Sequence, residues 1–200
     1  MSLFGAALVV FSGIPTWNSV PGTQGPRATQ SESVDELFQT GVYLYTIGSF
    51  YASASYFEKC LKKHPDDSME KQATYWLSLS LIGSGQIPKA QKELEKLVRK
   101  PLNEPLMSQS LLSLGDCYRL LGNCRKAGEV YEKVVRTGGS YVPLAMRNKA
   151  LCLELEGMKA DAIRVYQEIL LRFPNSLVSA EAREKVHKNG RKIGVPRGSK

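Results

Sequence analysis

The chain has 200 residues, of which 42% are hydrophobic and 23% charged, with a formal net charge of +8. That is enough apolar chain to bury a continuous core in one or two domains, and it excludes a wholly disordered or collagen-like polymer. The charge is uneven. Residues 183–200 hold seven basic side chains (Arg183, Lys185, Lys188, Arg191, Lys192, Arg197 and Lys200) against Glu184 alone, so the body is close to neutral and nucleic acid is disfavoured as its partner.

In chain order, residues 1–32 come first. Residues 3–14 form an apolar run too short to span a bilayer comfortably as a helix, yet of the length of a signal-peptide core. No Lys or Arg precedes it and no clear A-x-A site follows. Pro15, Pro21, Gly22, Gly25 and Pro26 then sit among Ser, Thr and Gln, which is linker composition. An export signal or membrane anchor and a cytosolic extension both fit. The periplasm or a membrane surface is slightly favoured over the cytoplasm.

From residue 33 the chain repeats itself. An apolar helical pattern ends in glycine at Gly48, Gly85, Gly122 and Gly157, at intervals of 37, 37 and 35 residues. Five residues after each glycine stands a small residue (Ser53, Ala90, Ala127, Ala162), and four further on a large apolar one (Phe57, Leu94, Tyr131, Tyr166). Each unit therefore reads as two amphipathic helices joined by a tight turn, pressed together at the small residue. Residues 179–188, "SAEAREKVHK", read as one more helix, with Ala180, Ala182 and Val186 inward and Glu181, Arg183, Lys185 and Lys188 in water. Residues 189–200 are a basic tail, and "VPRGS" at 195–199 resembles a thrombin-site remnant.

The pattern resembles the tetratricopeptide repeat (TPR). It is clearest over residues 111–135, where Leu111, Leu114, Gly115, Tyr118, Gly122, Ala127 and Tyr131 fall on motif positions. Ser78, Lys149 and Gly139 depart from the motif. The resemblance implies an all-α fold: a right-handed superhelical stack of about four helix pairs over residues 33–188, closed by a C-terminal capping helix. Residues 72–90 and 166–186 are further similar to bacterial cell-envelope TPR proteins of the Tol–Pal-associated and outer-membrane-assembly types. In such folds the first helix of each pair lines a concave groove. The corresponding positions are Phe38, Val42 and Tyr45; Tyr75, Leu79 and Ile82; Leu112, Asp116 and Arg119; and Arg147, Leu151 and Glu154. Tyr45 and Tyr75 are expected to meet a ligand. The aliphatics Val42, Leu79 and Ile82 are as readily explained by packing. The first two units lack the Lys and Asn of a carboxylate clamp.

Catalysis is not expected. The two histidines, His64 and His187, sit in a turn and in the basic end, and no metalloprotease, phosphate-loop or nucleophile-elbow motif occurs. No cofactor or metal is expected. Cys60, Cys117, Cys124 and Cys152 fall where helices pack and read as small hydrophobes, with a Cys117–Cys124 disulfide as the other reading. The expected function is a non-catalytic scaffold binding a protein or peptide in its groove, with a role in envelope assembly. The alternative is a basic-tailed adaptor for nucleic acid or anionic membrane. Self-association, with the apolar N-terminus as the groove's own ligand, and membrane attachment through that N-terminus also remain open.

Overall fold

The structure, a computed structural model, describes residues 32–193, with side chains to residue 188. The expectations for residues 1–31 and for the end of the tail lie outside those residues. Among the described residues there are nine α-helices and no strand. They are α1 (Val34–Thr46), α2 (Phe50–Lys62), α3 (Asp67–Gly83), α4 (Ile87–Leu97), α5 (Leu106–Leu120), α6 (Cys124–Thr137), α7 (Val142–Leu155), α8 (Lys159–Arg172) and α9 (Ser179–Ile193). Each helix packs on the one before and the one after it, and the odd-numbered helices α1, α3, α5 and α7 touch in sequence. The result is a superhelical stack of four pairs closed by α9.

Local chemistry sets where the helices begin and end. Ser33 opens α1 with a capping box: the Glu36 amide donates to its Oγ at 3.1 Å, and its own amide donates to Glu36 Oε2 at 2.7 Å. Inside every pair the turn is the same object. The amides of Ser49, Gln86, Asn123 and Met158 each reach back to a carbonyl five residues earlier at 2.8 Å, across a glycine at φ of +77° to +79°. This is the Schellman closure, and its left-handed residue is where a side chain would strain the backbone.

The period then places the core. Ser53, Ala90, Ala127 and Ala162 are at most 1% exposed, and Phe57, Leu94, Tyr131 and Tyr166 are fully buried. In the first and third pairs the large residue of the second helix lies against a glycine on the first. A Cβ at Gly41 would meet the Phe57 ring at 2.9 Å, and one at Gly115 would meet Tyr131 at 2.4 Å. Ser53 remains polar because its hydroxyl donates to the Gly41 carbonyl at 2.8 Å and lies 2.8 Å from Ser80 Oγ. Lys149, a departure from the motif, is half-buried and pairs with Glu132 at 2.7 Å.

The last helix differs from expectation in three ways. It continues to Ile193, beyond residue 188. Ala182 is buried and Val186 packs inward, but Ala180 faces solvent. Glu181 and Lys185 are ion-paired to α7, while Arg183 and Lys188 are exposed. All four cysteines are buried free thiols, in keeping with the favoured reading of them as small packing residues, and the other reading, a Cys117–Cys124 bridge, is not found.

Candidate functional site

The expected groove residues lie on α1, α3, α5 and α7, and they divide into two unlike halves. In the first half the aromatic rings hold one another. Phe38 meets Phe57 edge-on at 5.6 Å, and Tyr45 meets Phe50 and Trp76 at 5.3 Å each. Trp76 also stacks on Phe57 and touches Tyr75. Val42 and Ile82 pack on the hydrophobic core.

Between α3 and the start of α5 the surface opens into a groove of about 660 Å³. Its apolar wall is Tyr75, Trp76, Leu79, Pro101, Pro105 and Leu106, and its polar edge includes Lys71, Gln72, Asn103 and Gln109. Lys71 is ion-paired to Asp67, also at this edge, at 2.5 Å. The Tyr75 phenol is pushed up by burial, opposed by a hydrogen bond with Ser113. Gln109 Nε2 donates to Tyr141 Oη at 2.6 Å, which fixes its amide plane. Of the expected positions, Tyr75 and Leu79 line this groove.

Trp76, Gln72, Gln109 and the prolines of the α4–α5 loop were not anticipated. Gln72 stands one helical turn before Tyr75, a spacing the sequence displays. Pro101 and Pro105 fall in the long connection after α4, where the repeat supplies no template.

In the second half the charged positions are held by polar groups of neighbouring helices. Asp116 Oδ1 accepts from Tyr131 Oη at 2.7 Å, from Asn148 Nδ2 at 3.0 Å and from Arg119 at 3.4 Å. Burial, then the neighbouring Asp116 charge, drives the Tyr131 phenol upward, so it stays a donor. Arg147 Nε donates to Glu181 at 2.9 Å and its Nη1 to Asn148 Oδ1 at 3.1 Å. Glu154 accepts from Lys185 at 2.6 Å. Leu112 is buried and Leu151 half-buried. The six residues are spread along two helices, and three of them, Asp116, Arg147 and Glu154, are tied to neighbouring helices α6, α7 and α9.

No group of three or more metal-ligating side chains occurs among the described residues. Nor is any described helix long and apolar enough to cross a membrane.

Family profiles described as "Tetratricopeptide repeat" match residues 77–141 and 144–176. The TPR repeat-containing protein MJ1428 of Methanocaldococcus jannaschii is 28% identical over 150 residues, which is 74% of this chain and 26% of that protein. The chain thus spans about a quarter of that relative's length. Two solved structures share the fold at low identity. YrrB, described as a TPR protein with an unusual peptide-binding site, has a TM-score of 0.60 at 17% identity, covering 82% of this chain and 80% of its own. MamA has a TM-score of 0.60 at 16% identity, covering 84% and 98% respectively.

Proposed function

From the premise that this chain carries tetratricopeptide repeats, we infer that it is a non-catalytic scaffold holding an extended peptide segment of a partner protein between its second and third repeats. The observation that carries the reading is the groove itself: an apolar wall of Tyr75, Trp76 and Leu79 faced by Leu106 and two prolines, with Gln72, Asn103 and Gln109 along it. An amide side chain carries both a donor and an acceptor, which suits an extended backbone. The apolar wall suits a hydrophobic side chain from that segment. The fold is shared with YrrB, whose description includes peptide binding. The Asp67–Lys71 pair leaves little net charge at this edge, so the ligand is expected to be uncharged where it lies.

The envelope setting implied by residues 72–90 and 166–186 belongs to the same proposal. A displayed library of random peptides, panned on the full chain, tests the binding. Tyr75→Ala and Leu79→Ala should each weaken the selected peptides by about 1–3 kcal/mol, as half-buried anchors at an interface do, with the thermal midpoint little changed. Binding that ignores both substitutions but falls steeply with added salt would favour the polyanion adaptor instead.

A further inference from the structure

We propose that a second cavity, where the α4–α5 connection meets the α6–α7 connection, is a subsite for one basic side chain, arginine above all, of the segment held in the neighbouring groove. The inference rests on the reading of that groove as the seat of an extended peptide. The cavity holds about 330 Å³ and is lined by Glu104 and Pro105 from one connection and by residues 137–141 from the other. Pro105 also lines the groove, so the two spaces adjoin. Gln109 of the groove donates from Nε2 to Tyr141 Oη at 2.6 Å, and Tyr141 lines the cavity. A chain that leaves the groove across Pro105 has the cavity directly ahead of it.

The charge changes at that crossing. In the groove Asp67 and Lys71 neutralise each other. Among the residues lining the cavity Glu104 alone is charged. It is exposed and makes no ion pair among the described residues. Arg136, beside Thr137 in the chain, is paired with Glu132 instead, at 3.7 Å. Glu104 Oε1 accepts from Ser108 Oγ at 3.1 Å, and Ser108 is 1% exposed. A buried donor in the first turn of α5 thus holds one carboxylate oxygen in place and leaves the other for a ligand.

Tyr141 supplies the second element. Its hydroxyl is taken up by Gln109, and its half-buried ring belongs to the cavity, where a cation can sit over the face. Gly138 and Gly139, at φ of +86° and +84°, add bare backbone to the lining. A Cβ on either would meet nothing within 4 Å, so the space is open to a long side chain from outside. A guanidinium is planar, bonds a carboxylate through two N–H groups and stacks on a ring; a lysine ammonium matches only the charge. The segment recognised is therefore hydrophobic over Tyr75 and Leu79 and basic beyond Pro105.

The test pans a random peptide library on the full chain, and in parallel on Glu104→Gln and Glu104→Lys, with circular dichroism confirming that each is folded. Peptides selected on the parent should carry Arg or Lys at a fixed spacing from a hydrophobic residue. That enrichment runs against the chain's net charge of +8, which by itself attracts acidic peptides. Glu104→Gln keeps an oxygen for Ser108 and should weaken the selected peptide about fivefold, the difference between a charged and a neutral hydrogen bond. Replacing the peptide's arginine by citrulline should cost the parent the same factor and cost Glu104→Gln nothing further. Glu104→Lys should select an acidic residue at that spacing; if it does not fold, the Gln arm decides. Peptides that need Tyr75 but show no basic preference, or that bind Glu104→Gln as tightly as the parent, would overturn the subsite and leave the groove standing. Peptides indifferent to Tyr75→Ala, or none selected at all, would overturn both.

Discussion

Gly115→Ala isolates the contact that closes the third pair. Gly115 sits inside α5, and the absent side chain leaves room for the Tyr131 ring of α6. A methyl there would stand 2.4 Å from one ring carbon and 2.7 Å from the next. Carbons in contact prefer about 3.5–4.0 Å, so the ring must retreat by roughly 1 Å. Tyr131 is fully buried and has no slack, and overpacking of this kind costs about 1–3 kcal/mol. Retreat also pulls its hydroxyl from Asp116, now at 2.7 Å. A hydrogen bond to a charged group contributes about 1.5–3 kcal/mol. Against this, alanine gains about 1 kcal/mol over glycine in a helix interior. The net is a loss of about 1.5–5 kcal/mol, or roughly 3–20 °C in a chain of this size. Circular-dichroism melts and urea titrations read it directly. Gly128→Ala is the control, since a Cβ there meets nothing within 4 Å and should stabilise the helix slightly. If Gly115→Ala melts at or above the parent temperature, the close ring-to-backbone contact is not what holds the third pair together.

Three further outcomes are expected. Lys185→Glu should lower the melting temperature by about 2–4 °C, because it turns a partly exposed pair with Glu154, worth at most about 1 kcal/mol, into a repulsion; Lys188→Glu, on an exposed position, should change nothing in the same melts. The Glu132 carboxyl is held below its ordinary value, first by its hydrogen bond with Lys149. A depressed carboxylate stabilises the fold above its unfolded value and loses that contribution as pH falls through the folded one; melts between about pH 5 and 2.5 should therefore show an acid-side loss that Glu132→Gln reduces. If the envelope setting is right, the chain should fractionate with the envelope of its host, and recovery with Met1 intact in the soluble cytosolic fraction would refute it.

The repeat architecture was legible because its demands are short-range. A glycine at each turn and a small residue facing a large one recur at nearly fixed spacing, since every pair must solve the same packing problem. Ser53 is the one polar member of that series, and its hydroxyl is satisfied by Gly41 and Ser80. What could not be read was the pairing of polar groups between repeats. Asp116 with Asn148, Arg147 with Glu181 and Glu154 with Lys185 lie 31 to 34 residues apart, on helices whose relative rotation fixes which side chains meet. Lys185 reads as solvated from its place on the polar back of α9; its partner, Glu154, is on α7. The groove wall was half-legible for the same reason. Tyr75 and Leu79 follow from the repeat, whereas Pro101 and Pro105 belong to a connection that no repeat position describes.

This division bears on where a ligand would sit. A charged side chain already holding a partner must give that partner up, or share it, before it can recognise a peptide, and the freed group then pays desolvation. Asp116, Arg119, Arg147 and Glu154 are all in that position. Tyr75, Leu79 and the prolines around them have no such debt, because covering them removes apolar surface from water and breaks no ion pair. Asp116→Asn should therefore be felt in the melting temperature, through the Tyr131 and Asn148 hydrogen bonds, before it is felt in peptide affinity. A variant that kept its stability while losing the selected peptides would move the binding site from the second and third repeats to the third and fourth.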